Sequence, residues 1–145
     1  MLDKIVEIKN FSPEIYGFVG RLLPQLLPKR DVLSEEAFRD MLHSENSHLF
    51  VIQDAEETMV GMLSVGIYRT LSGCKAWIED VVVDETYRRH GYGKKIAEYA
   101  IGFIRDSGAD SISLTTNSSR IAANQLYSLL GFEQYETNVY KMYIR

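Results

Sequence analysis

The apolar positions of this chain follow two different periods, and the changes between them mark its elements. Ile5, Val6 and Ile8 predict a short first strand. Ser12, Pro13 and Glu14 then read as a helix start, with Ser as N-cap, Pro at the first helical position and an acid in the first turn. The helical face continues through Ile15, Phe18, Val19, Leu22, Leu23, Leu26 and Leu27, and Pro24 must kink or end it. Ser34 is placed to cap a second helix from Glu35 to about His43. Strands are predicted over residues 49–53 and 59–68, where Gly61 and Gly66 suit bulges or close backbone approach. Residues 71–73 turn into a central strand, where Trp77, Ile78, Val81, Val82 and Val83 form a near-continuous apolar run. Glu79 and Asp80 interrupt that run. In a regular strand these two adjacent carboxylates point to opposite faces.

After Gly93 the period becomes helical, through Ile96, Ala100, Ile101 and Ile104 to an end near Gly108. Residues 111–115 predict a fifth strand. Ser118 or Ser119 is expected to cap a last helix reaching Leu130, with Gly131 as its C-terminal glycine. On that helix Ala122, Leu126, Leu129 and Leu130 form the expected core stripe, opposite Arg120, Asn124 and Tyr127. Residues 132–135 and 139–144 read as a closing hairpin. The predicted order is β-α-α-β-β-β-α-β-α-β-β, a mixed α/β sheet with helices on both faces, in one domain over residues 1–145.

Between the central strand and its helix lies a loop with its own chemistry. Arg88, Arg89, Lys94 and Lys95 stand within eight residues, around Gly91 and Gly93. A helix start leaves N–H groups without partners and carries partial positive charge. Glycines let the backbone approach a ligand closely. The combination suits a pyrophosphate; the plainer alternative is a turn with a solvated basic edge. Two other phosphate motifs fail. Lys94 is followed by Lys95 rather than Ser or Thr, and position 96 is Ile rather than the third glycine of a dinucleotide fingerprint.

Composition narrows the picture only a little. Apolar residues make up 46% and charged residues 25%, ordinary values for a globular protein. A net charge of −4 does not suggest a nucleic-acid surface. No apolar run suits a membrane span, and no secretory leader pattern opens the chain. The single cysteine, Cys74, cannot form an internal disulfide, so a cytoplasmic setting is expected. Cys74 has no histidine near it in sequence and reads as an inert small residue. His43, His48 and His90 are scattered, and no ligand spacing points to a metal.

The loop Arg88-Arg89-His90-Gly91-Tyr92-Gly93 resembles the acetyl-CoA loop, Gln/Arg-x-x-Gly-x-Gly/Ala, of the GNAT superfamily of N-acetyltransferases. The run from Ile78 to Asp84 resembles the strand that leads into that loop, and is especially similar to it in eukaryotic glucosamine-6-phosphate N-acetyltransferases. Leu126-Tyr127-Ser128-Leu129-Leu130-Gly131-Phe132 resembles the family's Leu-Tyr-x-x-x-Gly-Phe signature. The element order agrees, so the resemblance covers essentially the whole chain.

That resemblance implies acetyl-CoA as co-substrate, no metal, and transfer of its acetyl group to a primary amine of a small molecule or peptide. Val81, Val82, Val83, Arg88, Arg89, His90, Gly91, Tyr92, Gly93, Lys94, Asn124 and Tyr127 are the implied cofactor contacts. Tyr127 is the implied donor of a proton to the leaving thiolate. A backbone N–H of Val82 or Val83 would polarise the thioester carbonyl. Many members carry Asn where Arg120 stands, so the pantetheine amide contact falls to Asn124. Glu79 is preferred as the base that takes the ammonium proton, with Asp80 the alternative; ion pairing with Arg or Lys is the plainer role for either. Glu79, Asp80 and Arg30 are the expected substrate contacts. Lys29, Arg30 and Lys75 could meet a substrate phosphate if the acceptor is an aminosugar phosphate. A catalytically silent acyl-CoA-binding domain is a further alternative, and a homodimer a candidate assembly. Nucleic acid and membrane are not expected partners.

Overall fold

The computed structural model describes residues 2–28 and 31–144, so Lys29 and Arg30 lie outside the described residues. The chain falls into two compact units, one up to Thr115 and one from Thr116 onwards. The first contains β1 (Lys4–Ile8), α1 (Pro13–Leu26), α2 (Glu35–His43), β2 (Ser47–Gln53), β3 (Met59–Thr70) and β4 (Gly73–Val83). A 3₁₀ turn at Glu85–Tyr87, α3 (Tyr92–Asp106) and β5 (Ser111–Ser113) complete it. The sheet runs β1-β2-β3-β4-β5, antiparallel except for the parallel pairing of β4 with β5.

The helix starts are set by local chemistry. Ser12 and Ser34 each accept the N–H three residues on, at 3.1 Å, from Ile15 and Ala37. Pro24 is followed by only two more helical residues. Phe18, Val19 and Leu22 of α1 and Phe38 and Leu42 of α2 share one core cluster with Leu49, Val51, Met62 and Val82 of the sheet. The other face buries Ile96, Ala97, Ala100 and Ile104 of α3. With both faces covered, β2 and β3 need no polar alternation. Gly61 is a close-approach site: a Cβ there would lie 3.1 Å from Ile52 Cγ2 and 3.3 Å from the Val82 carbonyl. Gly66 is not, since a Cβ there would meet nothing within 4 Å.

The second unit contains α4 (Ile121–Leu129) and corrects three expectations. Neither Ser118 nor Ser119 caps the helix. Arg120 is the N-cap and gives no side-chain bond, while the Ser119 hydroxyl and N–H both donate to Asn117 Oδ1 at 2.9 Å. The expected core stripe is not the buried face: Ala122 and Leu129 are exposed, and Tyr127 is the helix's buried residue. Residues 132–144 form no strand. Six of their apolar side chains, Tyr135, Val139, Tyr140, Met142, Tyr143 and Ile144, are exposed. Strand propensity acts only where a ladder partner takes up the backbone groups, and among the described residues this segment has none. The C-terminal glycine is where the pattern puts it. Gly131 has φ +100°, its N–H donates to the Ser128 carbonyl, and the Phe132 N–H donates to the Tyr127 carbonyl. These two bonds make a Schellman ending.

Candidate functional site

The strand β4 is irregular where its two carboxylates stand. Glu79 lies opposite Ser64 and Val82 opposite Met62, so Asp80 and Val81 together face Leu63 alone. This is a β-bulge of one extra residue. Asp80 carries it at φ +53°, a left-handed conformation that costs on the order of 1–3 kcal/mol for a residue other than glycine. The bulge reverses which way the strand faces. Ile78 pairs with Val65, on the α3 side, whereas Val82 joins the α1–α2 cluster, although four residues separate them. The expectation that Glu79 and Asp80 diverge is therefore corrected. Ser64 Oγ lies 2.9 Å from Asp80 Oδ2 and 3.3 Å from the Glu79 carbonyl oxygen, and register puts Glu79 on the face of Ser64.

Beyond Ser64 the same face opens. Gly66 stands opposite Trp77 and Tyr68 opposite Lys75. The Trp77 indole N–H donates to the Tyr68 hydroxyl at 3.1 Å, which fixes the ring. The other edge of β4 is also open towards its end. Strand β5 pairs only with Lys75, Ala76 and Trp77, so among the described residues no strand lies along Ile78 to Val83 on that side. The shortness of β5 thus leaves the backbone of Val81, Val82 and Val83 as an edge that an extended amide chain could join.

The loop after β4 is held by its own side chains. Asp84 Oδ1 accepts the Thr86 N–H and a Gln25 amide hydrogen, each at 3.4 Å, and Gln25 Oε1 accepts the Glu85 N–H at 2.9 Å. The Arg88 Nε donates to the Val83 carbonyl at 3.0 Å. His90 Nδ1 lies 3.0 and 2.9 Å from the carbonyl oxygens of Tyr87 and Arg88, so Nδ1 carries the hydrogen. Arg89 and Gly91 are both left-handed, at φ +70° and +81°. Left-handed residues alternating with right-handed ones form anion-binding nests, and this loop supplies two left-handed positions. Gly91 caps α3 without a side chain, no acid stands in the first turn, and a Cβ at Gly91 would meet nothing within 4 Å. These residues fit a pyrophosphate. Lys95 is the exception among the four cations, because its ammonium is paired with Asp3, which raises its pKa. Arg88, Arg89 and Lys94 remain the loop's exposed cations outside that pair.

In the second unit, Tyr127 packs edge-on against Phe132, with ring centroids 5.9 Å apart. Burial raises its phenol pKa, and Arg120 partly offsets this. The hydroxyl is thus a proton donor rather than a phenolate at neutral pH. Both amide hydrogens of Asn124 are engaged, to the carbonyls of Asn117 at 3.0 Å and Arg120 at 2.8 Å. What Asn124 has to give a pantetheine arm is its carbonyl oxygen, as acceptor. Sequence reasoning missed Ser64 altogether. The only signal was a small hydroxyl inside an otherwise apolar strand.

Comparison with known proteins follows this geometry. An aminoglycoside acetyltransferase from an uncultured soil metagenomic sample, crystallised with trehalose, superposes with a TM-score of 0.85 at 20% identity, over 99% of this chain and 97% of that one. Glucosamine-6-phosphate N-acetyltransferase from Arabidopsis thaliana superposes with a TM-score of 0.76 at 22% identity, over 99% of both chains. At these identities the likeness establishes the fold. Human N-acetyltransferase 8 is 29% identical over 93 residues, 63% of this chain. N-alpha-acetyltransferase 30 of Saccharomyces cerevisiae is 38% identical over 58 residues, 40% of this chain. Those matches span 41% and 33% of the two relatives' lengths. The model of the acetyltransferase (GNAT) family matches residues 15–132, and the chain belongs to that family.

Proposed function

We propose that the chain transfers the acetyl group of acetyl-CoA to a primary amine by direct attack within a ternary complex. The observation that carries this reading is the α3 start. A helix N-terminus with no side-chain cap and no first-turn acid follows a loop that contains two left-handed residues, and that loop follows a bulged strand with an open edge. Backbone N–H groups of the loop, with Arg88, Arg89 and Lys94, would hold the pyrophosphate, and the edge of Val81, Val82 and Val83 would hold the pantetheine amides.

The chemistry assigned to the residues is modest. An alkyl ammonium has a pKa of about 10.4 and must lose a proton before attack. Glu79 takes that proton, directly or through water, and Asp80 holds the ammonium beside it. A Val82 or Val83 N–H stabilises the oxyanion formed as nitrogen adds to the thioester carbonyl. Tyr127, a phenol that is protonated at neutral pH and kept so by burial, supplies the proton for the departing thiolate and is reprotonated by the one the amide nitrogen sheds. Amino sugars belong in the acceptor panel, since the two superposing enzymes are named for an aminoglycoside and for glucosamine-6-phosphate.

The test is release of free thiol from acetyl-CoA across a panel of alkylamines, amino sugars, aminosugar phosphates and peptides. Turnover with at least one class is expected. Cofactor binding with no thiol release from any amine would favour a silent acyl-CoA-binding domain. With an active acceptor in hand, Glu79→Gln should slow turnover most at neutral pH and least where the amine is already deprotonated. An unchanged pH–rate profile would move the base to Asp80 or bulk water.

A further inference from the structure

We infer that Ser64 is a positioning residue for the acceptor amine: its hydroxyl fixes the Asp80 carboxylate as the anchor for the substrate ammonium. The inference rests on the acetyl-transfer reading above and adds to it the group that orients the amine.

Three observations carry it. Apart from the Tyr127 phenol, Ser64 carries the one hydroxyl among the buried side chains described, at 8% exposure in the middle of β3 between Leu63 and Val65. A hydroxyl in a central strand is a cost that an apolar residue of similar size would avoid. Its Oγ lies 2.9 Å from Asp80 Oδ2, so the hydroxyl's hydrogen goes to a carboxylate that is itself exposed. The Glu79 strand carbonyl also lies within reach of this hydroxyl, at 3.3 Å, but the shorter contact is the one to the carboxylate. Asp80, moreover, is the left-handed residue of the bulge, and only a few residue types other than glycine accept that conformation. Bulge, backbone angle and hydrogen bond together fix a carboxylate that would otherwise rotate freely in solvent.

Fixing matters because a carboxylate offers about four acceptor positions. Ser64 occupies one on Oδ2 and thereby orients the others. The adjoining strip is open on the same face: a Cβ at Gly66 would meet no atom within 4 Å, and Trp77 borders it with its indole held by Tyr68. An ammonium entering along this strip meets Asp80 in a set orientation with Glu79 next to it in the chain. Asp80 then binds the amine and Glu79 receives the proton, a division that two freely rotating carboxylates would not maintain.

Steady-state kinetics with an acceptor active in the thiol-release panel tests this. Ser64→Ala should raise the acceptor KM by about ten- to a hundredfold, the range for a lost hydrogen bond to a charged group. The acetyl-CoA KM and the turnover number should change less than about threefold, and Ser64→Thr, which keeps the hydroxyl, should restore the acceptor KM. If Ser64→Ala does not fold, Asp80→Asn carries the test. It changes an exposed side chain, tolerates the left-handed backbone, and should show the same rise in acceptor KM with acetyl-CoA KM spared. An unchanged acceptor KM in a folded, active variant overturns the inference alone. So does a parallel rise for both substrates, which would make Ser64 a structural prop of the bulge. Absence of thiol release by the wild-type protein with every amine overturns the acetyl-transfer reading and this inference with it.

Discussion

Residues 77–95 and residues 117–132 both carry proposed chemistry, and they treat their backbone polar groups in opposite ways. In the first stretch, α3 begins without a side-chain cap and the end of β4 has an edge along which, among the described residues, no strand lies. In the second, the donors are engaged locally. Asn124 donates to two carbonyls before the helix, Asn117 takes up the Ser119 hydroxyl, and Gly131 and Phe132 close the end. The first stretch is suited to receive a ligand through backbone. The second is suited to hold one ring, Tyr127, in a single place.

The largest effect should come from that ring. Tyr127→Phe removes a donor and keeps the packing against Phe132, so turnover should fall by ~10²–10⁴-fold where thiolate departure limits the rate, with acetyl-CoA affinity nearly unchanged. Full activity in the Phe variant would mean that α4 only packs, and that the contrast between the stretches is one of stability alone.

Next in size is Gly91→Val. The glycine sits at φ +81°, so the substitution strains the backbone by ~1–2 kcal/mol even though space is available. The protein should stay folded by circular dichroism, while calorimetry should show acetyl-CoA Kd raised by at least about tenfold, or ~1.4 kcal/mol. Unaltered affinity in a folded variant would show that the pyrophosphate is held elsewhere.

The smallest effect is on stability at high pH. Burial puts the folded-state pKa of Tyr127 above the value of about 10 for an exposed phenol. Below that pH the phenol is protonated in both states and its contribution is complete. As pH rises through the unfolded and then the folded value, the unfolded chain releases its proton first, and stability falls. Urea unfolding of wild type and Tyr127→Phe should therefore give a difference that is constant at neutral pH and shifts against wild type above about pH 10. A difference independent of pH would show that the phenol is solvated.

Most of the first unit was legible because its signals are local. Ser12, Pro13 and Ser34 mark caps that depend on three or four neighbouring residues, and in the second unit Gly131 marks a helix end for the same reason. What was illegible depends on partners distant in sequence. Ser64 matters only because register brings it opposite Glu79. The apolar-rich segment 139–144 promised a strand, but composition does not supply a partner. The mistaken stripe on α4 has a similar origin. Leu129 and Tyr127 both suit a core by composition, and only the helix ending, which ties Tyr127 to Phe132, distinguishes them.

The bulge in β4 also acts as a frameshift in three dimensions. Cys74, Ala76, Ile78 and Val82 are all buried and all even-numbered, so the linear pattern looks continuous across Asp80. In space it is two reading frames joined at one residue, the first written on the α3 face and the second on the α1–α2 face. Because both faces are covered, the join leaves no trace in the apolar code except the pair of carboxylates standing on it. Any alignment of this strand with a regular one must therefore open a one-residue gap at Asp80, or it will match each of Val81, Val82 and Val83 to a side chain on the wrong side of the sheet.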